Sequence, residues 1–456
     1  MKGALNSVLD AMGNTPIVRL NKLANDVEAN IFVKLEYLNP AGSIKDRPAL
    51  QIIEDYEEEG KLREGGTIVE ATSGNTGMGL AMAAAVKGYK TVFVMPDKMS
   101  QEKILALRAF GSRVVITPTN VEPEDPRSYY SVAARIVDET PGAVLANQYH
   151  NPSNPKAHVN TTGPEIWGQV GDEMDVLVAT MGTGGTISGL GGFLKGKNPK
   201  LKIVGVDPVG SIYYDYFRTG RITTAHSYTV EGFGEDFLPS TMSFDVVDDI
   251  VRVTDKECFE WTRRMVREEG IYCGGSAGGA VKAAIRWAKQ NPGKKNILVI
   301  LPDSAVRYLS KIFDDNWMKE NGYLEPEYGT DRVSDLLGKR GTIVSVDMDE
   351  TVKSVVKLMR KHGISQLPVL SAGRVAGVVS ESDFLDALTE QRGTLESTVK
   401  EFMTSDFSIV EPGNSTNVLG QLLAQDKTVI VEENGVPKGI VTKIDFIEYV
   451  ARKGAK

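Results

Sequence analysis

The stretch TIVEATSGNTGMGLAMAAAVK, residues 67–87, places a short apolar run directly before a Gly/Thr loop and an alanine-rich helical pattern. An apolar run followed by a helical pattern returns at residues 91–110 and again at residues 175–194. Apolar strands that alternate with longer helical patterns are typical of βαβ units, whose parallel sheets are covered by helices on both faces. The sequence therefore predicts an α/β fold for residues 1–322.

Composition limits the class of function. The chain has 456 residues, with 52 Lys and Arg against 60 Asp and Glu, and a net charge of −8. This balance disfavours nucleic-acid binding and a basic membrane-surface protein, and no apolar stretch is long enough for a membrane span. Four scattered histidines and two cysteines, Cys258 and Cys273, predict no metal site, and reduced cysteines favour a cytoplasmic location.

Three glycine loops each precede a helical pattern: TSGNTG at residues 72–77, GTGGT at residues 182–186 and GGSAGG at residues 274–279. Backbone N–H groups at a helix N-terminus bind anions, so the first loop suits a carboxylate or a phosphate, and the second suits a small phosphate dianion. The second loop is neither a Rossmann fingerprint nor a Walker A loop, because Ile187 replaces the last glycine and no Lys-Ser/Thr pair follows. Turn formation and helix capping are the alternative explanation for each loop taken alone.

Lys45 is the candidate nucleophile, within PAGSIKDR at residues 40–47. A lysine at the start of a helix can be destabilised as an ammonium by burial and then act as an amine nucleophile. An ordinary surface lysine is the alternative. A reactive amine together with a phosphate loop and a carboxylate loop suits pyridoxal phosphate holding an amino acid.

The C-terminal part of the chain contains an internal repeat. GVVSESDF at residues 377–384 matches GIVTKIDF at residues 439–446, which places Asp383 and Asp445 62 positions apart. Each repeat predicts a strand, an amphipathic helix, two strands and a second helix, a unit that buries enough core only when paired. The sequence thus predicts a catalytic domain, a linker and two repeats, at residues 1–322, 323–333, 334–390 and 397–456.

Nine motifs carry a resemblance that runs from about Met12 to the C-terminus. They are, in family order, GNTPIVRL (13–20), NPAGSIKDR (39–47), EATSGNTG (70–77), MPDKMSQEK (95–103), SNPKAH (153–158), GTGGTISG (182–189), VEGFGEDFLP (230–239), CGGSAGG (273–279) and ILPDS (300–304). They resemble the β-family, or fold type II, pyridoxal-phosphate enzymes, and within these the cystathionine β-synthases. The repeat resembles a CBS-domain pair, or Bateman module. The resemblance implies a catalytic domain of two α/β subdomains followed by a smaller α+β module.

The resemblance also implies a role for each motif residue. Lys45 would hold pyridoxal 5'-phosphate covalently, Asn75 would contact its ring oxygen, and Ser276 would face its pyridine nitrogen. The cofactor's phosphate would be held by Gly182, Thr183, Gly184, Gly185 and Thr186. The substrate carboxylate would be bound by Thr72, Ser73, Thr76 and Gln148. Tyr149 would line the same cleft, with a role in the core as the alternative. The acidic Glu231 and Asp236 would face the second substrate's ammonium, with a solvated acidic loop as the alternative.

The implied reaction is a β-replacement. L-Serine would lose its α-proton to Lys45 and its hydroxyl as water, and the thiol of L-homocysteine would take the hydroxyl's place to give L-cystathionine. The neutral hydroxyl of Ser276 would favour loss of the β-substituent over transamination. Hydrogen sulfide release from cysteine is an expected side reaction. Cysteine synthase, using O-acetylserine and sulfide, is the close alternative, and a nucleotide sensor with a vestigial catalytic half is another.

Two departures from the family pattern bear on ligands. Haem-containing members carry an N-terminal extension with Cys and His ligands, whereas here GNTP begins at Gly13 and no cysteine precedes Cys258, so no haem is expected. Ser365 stands where S-adenosylmethionine-activated relatives carry an Asp, which leaves the choice among S-adenosylmethionine, AMP, ATP and no ligand open.

The CBS pair implies an adenosyl ligand between its halves. The positions concerned are Ser380, Asp383, Ile364, Gln366, Thr442 and Asp445, and for the two aspartates helix capping is the alternative. The resemblance further implies a homodimer or a higher homo-oligomer.

Overall fold

The structure of the chain is a computed structural model that describes residues 1, 3–72, 74–97, 99, 101–118, 121, 125–324, 332–337, 343–390, 392–424, 428–433 and 435–454. Ser73 and residues 325–331 of the predicted linker lie outside the described residues. The chain divides into two compact units, Met1–Met318 and Lys319–Lys456.

The first unit contains two sheets. Its strands are β1 (Ile17–Arg19), β2 (Asn30–Leu35), β3 (Thr67–Ala71), β4 (Lys90–Pro96), β5 (Arg113–Thr117), β6 (Ala143–Leu145), β7 (Val176–Thr180), β8 (Lys202–Pro208), β9 (Asp249–Val253) and β10 (Asn296–Leu301). The larger sheet has the order β1-β2-β10-β7-β8-β9, and its pairs are parallel except for β1 with β2. The smaller sheet has the order β5-β4-β3-β6 and is parallel throughout.

Helices connect these strands, as the alternating pattern predicts. They are α1 (Asp46–Glu58), α2 (Asn75–Lys87), α3 (Gln101–Ala109), α4 (Tyr129–Glu139), α5 (Ser153–Ala157), α6 (Gly163–Val170), α7 (Gly185–Lys197), α8 (Tyr213–Thr219), α9 (Asp255–Arg264), α10 (Gly275–Gln290) and α11 (Asp315–Glu320). The helix that follows β7 begins within the second glycine loop, so this loop's last residues belong to the first turn of α7.

Strand β3 is buried on both faces, which explains its continuous apolar run. Ile68 belongs to a core cluster that includes Ile52 of α1, whereas Val69 belongs to the cluster with Val132 of α4. Burying such a side chain completely contributes about 1.5–3 kcal/mol. Because both faces are covered, the strand cannot slip in register, and the loop after it has a fixed position.

Helices α1 and α2 approach each other closely. A Cβ added to Gly79 of α2 would lie 2.9 Å from Cβ of Ala49 and 3.0 Å from the carbonyl oxygen of Lys45. A glycine is therefore required where α2 crosses the start of α1. This crossing brings Lys45 beside the loop that opens α2.

The second unit consists of two similar halves. Its elements are α12 (Val333–Leu337), β11 (Val346–Asp347), α13 (Val352–His362), β12 (Gln366–Ser371), β13 (Arg374–Ser380), α14 (Glu381–Thr389), β14 (Phe407–Val410), α15 (Asn417–Ala424), β15 (Thr428–Glu433), β16 (Val436–Val441) and α16 (Lys443–Gly454). Sheets β11-β12-β13 and β14-β15-β16 each combine one parallel and one antiparallel pair. The antiparallel register shifts after Val369 and after Val431, 62 positions apart, which matches the repeat in the sequence.

Helix α12 packs with the second repeat although it precedes the first. Val333 is buried in the core that contains Val410, Leu419 and Val441, and Arg332 forms a β-bridge with Ser415. Each half therefore has its own apolar core. Helix α12, the first helix of the module, contributes to the core of the second half.

Candidate active site

Lys45 lies at the floor of a cleft of about 1340 Å³. The segment before it is held by the end of β10, because the N–H of Ile44 donates to the carbonyl of Pro302 at 2.8 Å and Ser43 bridges Asp303. Burial lowers the pKa of the Lys45 ammonium to about 8, against the opposing charges of Glu235 and Asp303. A larger fraction of neutral amine is therefore present near pH 7 than in a solvated lysine, as a nucleophile or base requires.

The first glycine loop forms one wall of the cleft. Thr72 Oγ1 accepts a hydrogen bond from the N–H of Gly74 at 3.2 Å, and Gly74 has φ of +150°. The hydroxyl of Thr76 donates to the side-chain oxygen of Gln148. Thr72, Thr76 and Gln148 thus line the cleft together, as the sequence predicts, while Ser73 lies outside the described residues.

A buried carboxylate holds the Gln148 segment in place. Glu70, on β3, accepts hydrogen bonds from the N–H of Asn147 at 2.6 Å and of Gln148 at 3.3 Å. Burial raises the pKa of Glu70 to about 7 despite these two bonds. Asn147 has φ of +52°, a conformation that Asn tolerates better than most residues. Glu70 therefore positions the glutamine that pairs with Thr76.

The second glycine loop, called the glycine cradle below, packs so closely against neighbouring segments that side chains at three of its positions would clash. A Cβ on Gly182 would lie 2.9 Å from the carbonyl oxygen of Gly232, and one on Gly184 would lie 2.6 Å from Cα of Met242. A Cβ on Gly185 would lie 1.9 Å from Asn154 Oδ1. The loop sits at the N-terminus of α7, where backbone N–H groups favour a phosphate.

The predicted phosphate residues do not all face the cleft. Gly182, Thr183, Gly184 and Thr186 line it, whereas Gly185 is buried against Asn154 outside the cleft lining. Ser276 also lines the cleft, as the second residue of α10. The third glycine loop therefore joins the first two around Lys45.

Asp303, which the motif analysis did not single out, is a central residue of this wall. Its Oδ2 accepts hydrogen bonds from Asn75 Nδ2 at 2.8 Å and from the hydroxyl of Tyr308 at 2.6 Å. Burial raises the pKa of Asp303. Its Oδ1 has no hydrogen-bond partner among the described residues, which is typical of a site that binds a polar group. Two signals in the sequence could have found it: Asp303 belongs to the ILPDS motif, and it follows the carboxyl end of a buried strand.

The loop at residues 230–239 brings several acidic groups to the cleft mouth. Glu231 accepts hydrogen bonds from Lys103 and from Lys311, the second at 2.7 Å. Burial opposes its charge, but the two ammonium groups prevail and lower the pKa of Glu231. Asp236 is exposed and lines the cleft. Glu231 and Asp236 were both predicted to bind a substrate ammonium. The carboxylate of Glu231, however, is already paired with two lysines.

Tyr149 and Glu235 form a half-buried pair in the same cleft. The Tyr149 ring packs edge-on against Phe237 with centroids 5.2 Å apart, and its hydroxyl hydrogen-bonds to the Glu235 carboxyl. Burial raises the pKa of Glu235 to about 8. Tyr149 was expected to line the cleft, whereas Glu235 was not singled out.

Ser380 and Asp383 of the first repeat form a capping box on α14. Asp383 Oδ2 accepts from the N–H and the hydroxyl of Ser380, both at 2.7 Å. Thr442 and Asp445 of the second repeat make the matching contacts at 2.8 and 2.6 Å. Both aspartates therefore lie in the first turn of their helices and stabilise the helix N-termini.

The other two predicted nucleotide positions lie at the start of β12. Ile364 packs against the first repeat's core. Gln366 Oε1 accepts from Thr428 Oγ1 at 3.3 Å, a contact that joins the two repeats.

Within the described ranges, no group of three or more His, Cys, Asp and Glu side chains is arranged to hold a metal ion. Among the same residues, no helix is long and apolar enough to cross a membrane.

Comparison with known proteins agrees with the cleft and the repeat. Residues 8–303 match the family described as "Pyridoxal-phosphate dependent enzyme", and residues 333–390 and 399–452 match the CBS domain. The first unit is thus a fold type II pyridoxal-phosphate enzyme, and its cofactor is pyridoxal 5'-phosphate. The residues around Lys45 fit this group, since they combine an amine of lowered pKa, a glycine cradle and an orphaned buried carboxylate oxygen.

Relatives narrow the class further. The chain is 36% identical over 467 residues to the cystathionine beta-synthase of Dictyostelium discoideum, covering 99% of this chain and 93% of that one. Among solved structures, an O-ureido-L-serine synthase has a TM-score of 0.64 at 36% identity, over 68% of this chain and 96% of its own. A hydrogen sulfide-producing enzyme from Fusobacterium nucleatum has a TM-score of 0.62 at 37% identity, over 67% and 100%. The chain belongs to the cystathionine beta-synthase family of pyridoxal-phosphate-dependent lyases.

Proposed function

We propose that the chain catalyses the β-replacement of the hydroxyl of L-serine by L-homocysteine, which gives L-cystathionine and water. The observation that supports it most directly is the cleft itself, where the amine of Lys45 shares one cavity with the Thr76–Gln148 pair and the glycine cradle. In this proposal, an amino acid whose carboxylate binds at Thr76 presents its Cα to Lys45, because both residues line the same cleft. Family membership supports the same reaction.

In this proposal the cofactor is held by the residues that the motifs indicate. Lys45 bonds it covalently, Asn75 contacts its ring oxygen, Ser276 faces its ring nitrogen, and residues 182–186 hold its phosphate. When bound, the cofactor withdraws electrons from Cα of the amino acid and so acidifies the α-proton. The neutral hydroxyl of Ser276 supports β-substitution rather than transamination.

The protein's own groups supply orientation and proton transfer. The Thr72 and Thr76 hydroxyls and the Gln148 amide orient the serine carboxylate, and Lys45 removes the α-proton. Asp236, exposed at the cleft mouth, is the better acceptor for the homocysteine ammonium. Glu231, already paired with two lysines, stabilises the mouth of the cleft instead.

The second unit, we propose further, binds an adenosyl ligand that changes turnover. Each capping box uses Oδ2 of its aspartate, and at Asp383 the second carboxylate oxygen remains available for ribose hydroxyls. Gln366 and Ile364 lie where the base would bind between the repeats. Titration with S-adenosylmethionine, AMP and ATP tests this part: unchanged activity and unchanged melting temperature with all three would exclude it.

A substrate panel tests the catalytic proposal. Serine or O-acetylserine is combined with homocysteine or sulfide, and the products are identified by mass. Cystathionine from serine and homocysteine is the expected main product, with hydrogen sulfide from cysteine as a side reaction. Preferential cysteine formation from O-acetylserine and sulfide would identify a cysteine synthase instead. A purified protein without cofactor absorbance would favour a nucleotide sensor with a vestigial catalytic half.

The family resemblance also supports a homodimer or a higher homo-oligomer, and light scattering of the purified protein tests it. Cys258 and Cys273 are both buried and unpaired, which supports the proposed cytoplasmic location.

A further inference from the structure

Glu235 lines the candidate cleft but has no role in the reaction described so far. Its backbone is fixed by two neighbours: its carbonyl accepts from the N–H of Ile212 at 3.1 Å, and its N–H donates to Ser211 Oγ at 3.1 Å. The preceding Gly234 has φ of +81°, and a Cβ there would lie 2.3 Å from Cγ of Pro208. The carboxyl of Glu235 is therefore presented to the cleft by a rigid loop.

Charged and polar groups face this carboxyl from several elements. The Tyr149 hydroxyl and the Lys45 ammonium favour its charged form, whereas Asp236 and Asp207 disfavour it. The Glu235 charge also acts on the tyrosines around it, which are Tyr129, Tyr130, Tyr213 and Tyr228. Burial outweighs the favourable contacts and raises the pKa of Glu235 to about 8. At neutral pH this side chain is therefore mostly a neutral carboxylic acid.

The proposed reaction needs such an acid. Hydroxide is a poor leaving group, so the β-oxygen of serine must gain a proton as its bond to carbon breaks. Lys45 has the opposite task, since its amine accepts the α-proton. Two titratable groups in one cavity, a lysine whose pKa is lowered toward neutrality and a carboxyl whose pKa is raised, suit this division of roles. Lys45 and Glu235 both line that cavity.

On the basis of the proposed serine-dependent reaction, we propose that Glu235 is the catalytic acid that protonates the departing hydroxyl of serine. Lys45 takes the α-proton, and the C–H electron pair forms a Cα=Cβ double bond. The Cβ–O bond breaks with its electron pair on oxygen, which takes the proton of Glu235 and leaves as water. The thiol of homocysteine returns a proton to the Glu235 carboxylate as its sulfur bonds to Cβ. The Lys45 ammonium then returns the proton to Cα, so both groups are restored.

The choice of leaving group tests this role. Acetate departs from O-acetylserine without protonation, so the holoenzyme of Glu235→Gln is assayed with both donors and homocysteine as acceptor. The expected result is a loss of about 100-fold or more in kcat with serine and a change within about threefold with O-acetylserine. An equal loss with both donors would overturn the proposal. Wild-type enzyme without serine activity would instead overturn the proposed function.

Two further variants complete the test. Glu139→Gln makes the same chemical change at an exposed position on α4 and should leave both activities unchanged. Tyr149→Phe keeps the acid but removes a hydroxyl that favours its charged form, so the alkaline decline of kcat with serine should move to higher pH. A decline at the same pH in Tyr149→Phe and in wild-type enzyme would contradict the assignment of that decline to Glu235.

Discussion

Asn75 Nδ2 donates a hydrogen bond to Asp303 Oδ2 at 2.8 Å, which joins the first residue of α2 to the end of β10. Helix α2 follows β3 of the smaller sheet, whereas β10 belongs to the larger sheet, so this bond links the two parts of the catalytic unit at the cleft wall. The hydroxyl of Tyr308 donates to the same oxygen at 2.6 Å. Because Asp303 accepts a hydrogen bond from one N–H of the Asn75 side chain, it fixes the orientation of that amide. The second N–H of the Asn75 amide can then donate to a ligand.

Loss of the Asp303 charge should weaken cofactor binding. Asp303→Asn keeps the shape of the side chain but replaces the charged acceptor that orients Asn75 with a neutral amide. A hydrogen bond to a charged group is worth about 1.5–3 kcal/mol, or roughly tenfold to a hundredfold in affinity. Titration of apoenzyme with pyridoxal phosphate, followed by absorbance, measures the change. The exposed Asp172→Asn should bind the cofactor normally, and equal affinity in both variants would contradict the positioning role.

The glycine cradle offers a matched pair of substitutions on one helix. Gly185→Ala places a Cβ 1.9 Å from Asn154 Oδ1, whereas at Gly192, seven residues further along α7, a Cβ meets nothing within 4 Å. We expect Gly185→Ala to lose cofactor and stability together. Gly192→Ala should raise the free energy of unfolding by about 0.5–1 kcal/mol, because glycine is unfavourable in a helix interior. Similar behaviour of the two variants in thermal melts would be the contradicting result.

An ion-pair network stabilises the segment around Lys45. Glu165 accepts from Lys34 Nζ at 2.6 Å, from Arg47 Nη1 at 2.9 Å and from the N–H of Thr15 at 2.9 Å. Burial opposes its charge, but the hydrogen bonds and charges of Arg47 and Lys34 prevail and lower the pKa of Glu165 from 4.5 to about 2. Its stabilising contribution is therefore complete above pH 4.5 and is lost as the pH falls through 2.

Glu165→Gln should lower the free energy of unfolding at pH 7, by up to about 3–5 kcal/mol for a broken buried pair. The variant should also lose less stability on acidification than the wild-type protein. Urea denaturation of the full chain at pH 7 and at pH 3 measures both effects. If the free energy of unfolding falls by the same amount on acidification in both proteins, Glu165 does not contribute to the acid dependence of stability.

Two variants distinguish the proposed role of Asp383 in ligand binding from its role in helix capping. Asp383→Ala removes a carboxylate that caps α14, while Glu401→Ala removes the matching carboxylate of the Thr398 capping box in the same module. Each should cost about 1 kcal/mol in stability. Only Asp383→Ala should abolish the shift in melting temperature caused by an adenosyl ligand. An undiminished shift in that variant would leave Asp383 with the capping role alone.

Local patterns predicted the strands, the glycine loops and the repeat, because these depend on nearby residues. Strand β3, which is buried on both faces, appears in the sequence as a continuous apolar run. The start of α7 appears as a glycine loop directly before a helical pattern. The same is true of the matched ends of β13 and β16. These features follow from periods of a few residues and from glycine placement.

Long-range pairings were not predictable in this way. Glu235 and Asp303 are important because of what packs around them, and their partners lie far away in sequence. The two lysines that neutralise Glu231 likewise come from distant segments. The motifs contained these acids, but only the folded chain determines which of them is buried, charged or neutral.

The central claim is that the amine of Lys45 bonds to pyridoxal phosphate. Borohydride reduction of the holoenzyme, followed by proteolysis and mass analysis, tests it most directly. The account predicts the cofactor's mass on the peptide that contains Lys45, and its loss from Lys45→Ala. Cofactor on a different lysine, or on no peptide of a coloured holoenzyme, would contradict the account.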